Sequence, residues 1–235
     1  MTGWIDHLLF DHLDQLPTVD IIVVPNSVYE PDVAFLPLRR SRPPAAQGMN
    51  REGQPYPTLV IEIGKAQSVP NLCDRARGFF SARTTIRIYL FIKIFGEREN
   101  GTVAMVAVLF LRASANPLVP TNVISFGTAP LNPVITNTLT KHANAAIAAA
   151  HLAGAGPPPP VVLNTTGIGF GGPPCNALGI ATYQLHLPTV EIFNDVPTGI
   201  PAGVPPGGIN IDLYYIQDGV SLVCMYSRVA KVTGK

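Results

Sequence analysis

The chain has 235 residues, the length of one well-buried domain or at most two small ones, and one is expected. Charged residues make up 13%, about half of the ~25% usual for a soluble domain, and the net charge of +1 excludes the strongly basic surface of a non-specific nucleic-acid binder. Glycine (21) and proline (24) require many loops, but their share excludes a collagen, a coiled coil and a fully disordered chain.

In chain order, Trp4, Ile5, Leu8, Leu9, His12, Leu13 and Leu16 recur at helical spacing. They predict an amphipathic helix over residues 4–16 that Pro17 ends. Residues 19–24 and 33–36 read as short strands, and 39–55, with three prolines and two glycines, as a loop. Residues 58–63 are apolar except at Thr58 and Glu62, as in a strand covered on both faces. A helix over 69–82 opens with Ser68 as N-cap and Pro70 in its first turn, and sets Leu72, Cys73, Ala76, Phe79 and Phe80 on one face. Residues 86–95 alternate with period two, and Asn100-Gly101 turns them back into a strand over 102–111.

The next stretch differs in kind. Between Ala113 and Val190 the only charged residue is Lys141, and the alanine-rich 143–155, the prolines 157–160 and the glycine-rich 167–172 read as a loose insertion. Gly167-Ile168-Gly169-Phe170-Gly171-Gly172 matches a dinucleotide fingerprint by letter, but Pro173-Pro174 stand where its helix must begin. Beyond it, 182–193 reads as a strand or strand pair, 209–215 as a strand and 220–229 as a helix.

Cys73, Cys175 and Cys224 are odd in number and lack CxxC spacing, so neither a disulfide framework nor a zinc site is expected. The acidic N-terminus is unlike a signal peptide, and the most apolar run, 102–111, is too short to cross a bilayer. The expectation is an intracellular protein, cytoplasmic or nuclear, without a membrane partner.

Two carboxylates stand out, Asp32 after Pro31 at the start of one strand, and Glu62 inside the apolar run 58–63. A carboxylate in a covered strand costs several kcal/mol unless it is paired or binds a cation. An arginine such as Arg75 or Arg77 would satisfy it, and so would a magnesium or manganese ion shared with Asp32, since both metals take hard oxygen ligands.

Glu30-Pro31-Asp32-Val33-Ala34-Phe35, then Val60-Ile61-Glu62-Ile63-Gly64-Lys65, a helix and Ile86-Arg87-Ile88-Tyr89-Leu90 resemble the PD-(D/E)xK restriction-endonuclease-like superfamily. Residues 59–68 and 72–80 look like its branch described as restriction endonucleases. Similar regions in fungal proteins also share Tyr183-Gln184-Leu185-His186-Leu187-Pro188, Ile192-Phe193 and Ile211-Asp212-Leu213. The resemblance covers residues 1–112 well and 181–218 loosely.

It implies an α/β fold with a central mixed sheet flanked by helices, in which 1–112 form a nuclease-like core, 113–180 a low-charge loop or insertion, and 181–235 strands and a helix that complete the core. The implied activity is metal-dependent hydrolysis of DNA phosphodiesters, with Asp32, Glu62 and the Ile63 carbonyl holding Mg²⁺ or Mn²⁺. The family lysine belongs two residues after the acid, on the same face of the strand, where this chain has Gly64. Lys65 reaches that face only through a bulge at Gly64, and Gln67 is the reserve. DNA would dock on the basic loop of Arg39, Arg40 and Arg42, and a homodimer is left open. The alternative is a catalytically inactive module of the same fold that binds a protein or nucleic acid.

Overall fold

Leu59–Gly64 and Ile88–Ile94 are apolar nearly throughout because they lie side by side in a sheet covered on both faces. The structure, a computed structural model, describes residues 11–16, 19–24, 27–43, 48, 53–151, 158 and 160–219. In chain order its strands are β1 (Leu13–Leu16), β2 (Ile21–Val24), β3 (Ser27–Tyr29), β4 (Val33–Pro37), β5 (Leu59–Gly64), β6 (Ile88–Ile94), β7 (Ala104–Leu111), β8 (Asn122–Gly127), β9 (Thr165–Gly167), β10 (Gln184–Leu187) and β11 (Ile209–Asp212). The helices are α1 (Val69–Phe79), α2 (Pro133–Ala150), the single turn α3 (Thr189–Ile192) and α4 (213–219).

Seven strands form one mixed sheet in the order β1-β4-β5-β6-β7-β8-β9. The first three run antiparallel to one another, α1 then carries the chain from β5 to a parallel β6, and β7 and β8 return antiparallel. The chain is therefore α/β. On one face Val60, Tyr89, Phe91, Val106 and Phe110 pack under α1, the β2–β3 hairpin and Leu139 of α2. On the other, Leu59, Ile61, Leu90 and Ile92 pack against Leu185, Leu187 and Ile211 of the β10–β11 pair and against Ile192 of α3. Each such fully buried apolar side chain contributes about 1.5–3 kcal/mol.

Helix α1 forms where the spacing predicts it. The Ser68 hydroxyl accepts the Asn71 N–H at 3.3 Å, Pro70 sits in the first turn, and Val69, Leu72, Cys73, Ala76 and Phe79 make the buried stripe. It ends at Phe79, three residues short of the prediction, where the Phe80 N–H still reaches the Ala76 carbonyl. The Asn100-Gly101 turn is also present, with Gly101 at φ +78° and the Arg98 N–H on the Thr102 carbonyl at 2.9 Å.

Three expectations are corrected. Leu13–Leu16, expected inside a helix over 4–16, is an edge strand paired antiparallel with β4. The three-residue spacing of Leu13 and Leu16 suited a helix, but the unpaired edge of β4 gives that backbone a ladder of hydrogen bonds. The rest of that prediction, residues 4–10, lies outside the described residues. Second, residues 113–180 are not a loose loop: they supply β8 and β9 of the main sheet and the 18-residue α2. Their low charge reflects burial at Val123, Ser125 and Phe126 and small side chains, Ala143 and Ala146, on the buried face of α2. Third, 182–193 is one strand followed by the turn α3, and a short 3₁₀ segment, Ala181–Tyr183, precedes it. The helix expected over 220–229 lies outside the described residues.

Candidate functional site

Strands β4, β5 and β6 are neighbours, and their register decides which side chains meet. Val33 of β4 faces Ile61 of β5, so Asp32, one residue earlier, comes alongside Glu62. Its Oδ2 accepts the Ile63 N–H at 2.6 Å. On the other side of β5, Glu62 pairs with Phe91 and Gly64 with Lys93. Directly paired residues share a face, so Glu62, Gly64 and Lys93 all point toward α1.

Glu62 is 1% exposed. Its Oε2 makes an ion pair with Arg75, which projects from the middle of α1, and its Oε1 has no hydrogen-bond partner among the described residues. Burial pushes its carboxyl up to about 7; Arg75 pulls against that shift and the charge of Asp32 adds to it. The Arg75 guanidinium also lies over the Tyr29 ring of β3, 4.9 Å from its centroid, and about a quarter of its side chain remains exposed. Arg77, the other expected partner, is exposed.

Sequence reasoning missed Lys93. Its Nζ donates to the Lys65 carbonyl at 2.6 Å and stands 5.5 Å from the centroid of the Phe95 ring, and burial lowers its pKa. It is 8% exposed, unusual for a lysine with no ion pair among the described residues. The available signal was a single lysine on the Tyr89-Phe91 face of an otherwise apolar strand, but only the β5–β6 register connects it with Gly64.

Lys65 and Gln67 are exposed in the bend that follows β5. The bulge at Gly64 that Lys65 would need is absent, since the ladder runs unbroken to the Gly64–Lys93 pair. Gly64 has another reason to be glycine. A Cβ there would come within 2.6 Å of Leu72 Cδ1, so any side chain at this position requires the buried Leu72 side chain to shift.

Of the basic loop, Arg39 and Arg42 are exposed and Arg40 is not. Arg40 is 8% exposed and ties three backbone segments together. Its guanidinium donates to the Tyr56 carbonyl, to the Thr85 carbonyl at 3.1 Å, to the Asn194 carbonyl at 3.3 Å and to Asp195 at 3.3 Å. The expectation that it faces a phosphate is corrected: its donors are already committed inside the fold.

Among the described residues no cluster of three or more His, Cys, Asp or Glu side chains is arranged to hold a metal ion. The hard donors at this site are the two carboxylates, with backbone carbonyls beside them. Two surface clefts of about 480 Å³ lie elsewhere, one at Leu38 and Ile200, the other between Phe80 and Ala146; neither includes Glu62. No helix among the described residues is long and apolar enough to cross a membrane. Compared with protein-family models, with curated proteins and with solved structures, the chain matches none significantly.

Proposed function

We propose that the chain is a metal-dependent nuclease of the PD-(D/E)xK type that hydrolyses DNA phosphodiester bonds, with Asp32 and Glu62 as its metal ligands. The observation that carries this reading is Glu62 itself, a fully buried carboxylate with one oxygen unpartnered among the described residues, alongside the Asp32 carboxylate. The strand order supports it, because β1, β4 and β5 run antiparallel and α1 leads to a parallel β6, the helix-linked arrangement implied by the resemblance.

The residues fit a small divalent cation. Mg²⁺ is commonly held by one or two carboxylates while keeping several waters, and that matches two hard ligands of which one, Asp32, is exposed. The Ile63 carbonyl, between Glu62 and Gly64, is the third donor of the reading. A bound cation would supply a Lewis acid at the phosphate and lower the pKa of the attacking water. The chain's own residues do the rest. Asp32 is held in place by the Ile63 N–H, Glu62 is fixed by its strand, and Lys93 brings an ammonium to the row that Gly64 leaves empty, where it offsets phosphate charge. Lys65 and Gln67 have no part in this arrangement beyond the Lys65 carbonyl that holds Lys93. Arg39 and Arg42 are the exposed members of the basic loop left to meet the DNA backbone.

The test combines calorimetric titration of Mg²⁺ and Mn²⁺ with plasmid cleavage. Asp32→Ala and Glu62→Ala are expected to lose metal binding and cleavage together. Lys93→Met should keep the metal but lose about 100-fold or more of the rate, while Lys65→Ala stays near wild type. Unchanged cleavage in both carboxylate variants sinks the proposal.

The Glu62–Arg75 ion pair favours a second reading, a module of the same fold without catalysis, since an arginine already answers the charge that a metal would answer. That reading expects no metal binding in the wild type, with or without DNA.

A further inference from the structure

The ion pair and the orphaned oxygen belong to the same carboxylate, and together they describe a site that is closed but not satisfied. Arg75 occupies Oε2 of Glu62, while Oε1 is buried with no donor among the described residues. Leaving a buried charged acceptor half unpaired costs free energy, so a second cation at Glu62 has something to gain. Arg75 is not locked in place. About a quarter of its side chain is exposed, and its guanidinium rests on the Tyr29 ring, a second favourable seat beside the carboxylate. The one acidic residue of α1 itself, Asp74, is exposed and lies 3.9 Å from His142.

We propose that Arg75 is an exchangeable internal cation: a divalent metal displaces it from Glu62, and the released guanidinium, still seated on Tyr29, binds the substrate phosphate. This inference rests on the nuclease reading and deepens it, since it makes metal and phosphodiester bind cooperatively. Arginine suits the second role because its planar fork matches phosphate oxygens. Before exchange, the guanidinium neutralises Glu62; afterwards the metal does so, and the positive charge of Arg75 becomes available to an anion. Metal alone must break the ion pair, whereas metal with phosphodiester re-pairs the arginine.

The experiment is calorimetric titration of Mn²⁺ into the whole protein at pH 8.5, above the Glu62 carboxyl's value of about 7, for the wild type, Arg75→Met and Arg75→Lys. Each titration is run alone and with a short DNA duplex, and circular dichroism checks the fold. Without DNA, Arg75→Met is expected to bind Mn²⁺ about tenfold more tightly, the factor that corresponds to losing one charge-assisted contact. With DNA, wild-type affinity should rise severalfold, Arg75→Lys should retain part of that rise, and Arg75→Met should show none. Equal or weaker Mn²⁺ binding by Arg75→Met overturns the exchange while leaving the nuclease reading standing. An equal DNA effect in the wild type and Arg75→Met overturns the phosphate role. Absence of Mn²⁺ binding in all three folded proteins, with and without DNA, overturns the inference together with the reading beneath it.

Discussion

Replacing Glu62 by glutamine should remove a specific pH dependence of stability. The carboxyl is pushed up to about 7 in the folded protein, first by burial, against 4.5 for the free side chain. Between these values the unfolded chain has released its proton and the folded one has kept it. The folded state then binds more protons, so stability falls as pH rises through this window and levels off above about 7. Each pKa unit is worth about 1.4 kcal/mol, which makes the loss roughly 3 kcal/mol between pH 4.5 and 8. Glu62→Gln keeps the shape and cannot ionise, so urea denaturation of both proteins across that range should show the wild type losing about 3 kcal/mol relative to the variant. Parallel stability curves would refute the idea that Glu62 is held against its own ionisation. Under the nuclease reading, saturating Mg²⁺ returns stability to the wild type above pH 7 and leaves Glu62→Gln little changed.

Two further substitutions probe the elements that shape the site. Gly64→Ala should destabilise the protein by about 1–3 kcal/mol, because its Cβ would meet Leu72 Cδ1 at 2.6 Å where α1 closes on β5; an unchanged urea midpoint would show that α1 does not define that position. Arg40→Met should cost about 3 kcal/mol, since it strips the Thr85 and Asn194 carbonyls and Asp195 of a shared donor, while Arg42→Ala leaves the melting temperature where it was. Equal effects of the two substitutions would contradict the separation of a structural arginine from an exposed one.

What could be read in the sequence follows the physics of each signal. The strands β5 and β6, helix α1 and the Asn100-Gly101 turn were legible because each rests on a local cause: an apolar run, a capped amphipathic stripe, a turn residue that tolerates positive φ. Asp32 and Glu62 stood out for a similar reason, as carboxylates at the start and in the middle of apolar strands. The edge strand β1 was hidden because four residues carry too little pattern to outweigh the helical spacing around them. Strand β8 and helix α2 were hidden by composition, since small and uncharged side chains look alike in a linker and in a tightly packed layer. Lys93 was out of reach altogether. Its place beside Gly64 exists only in the parallel register, a pairing between residues 29 apart in the chain.

The energetics of Glu62 also bear on why the carboxylate is there. A buried ion pair is commonly no more stabilising than well-packed apolar side chains of the same volume, and this one leaves Oε1 unpaired as well. The neighbours on its face, Val60, Tyr89 and Phe91, show that an apolar residue would fit the surroundings. Stability alone would favour apolar side chains in place of the Glu62–Arg75 pair, and the upward-shifted carboxyl says the same thing from the folded side. A carboxylate held there against its own solvation is what a cation site requires, because the low dielectric that penalises the bare charge also strengthens its attraction for a cation. Under the nuclease reading, Arg75 is the partner that answers the Glu62 charge before a cation binds.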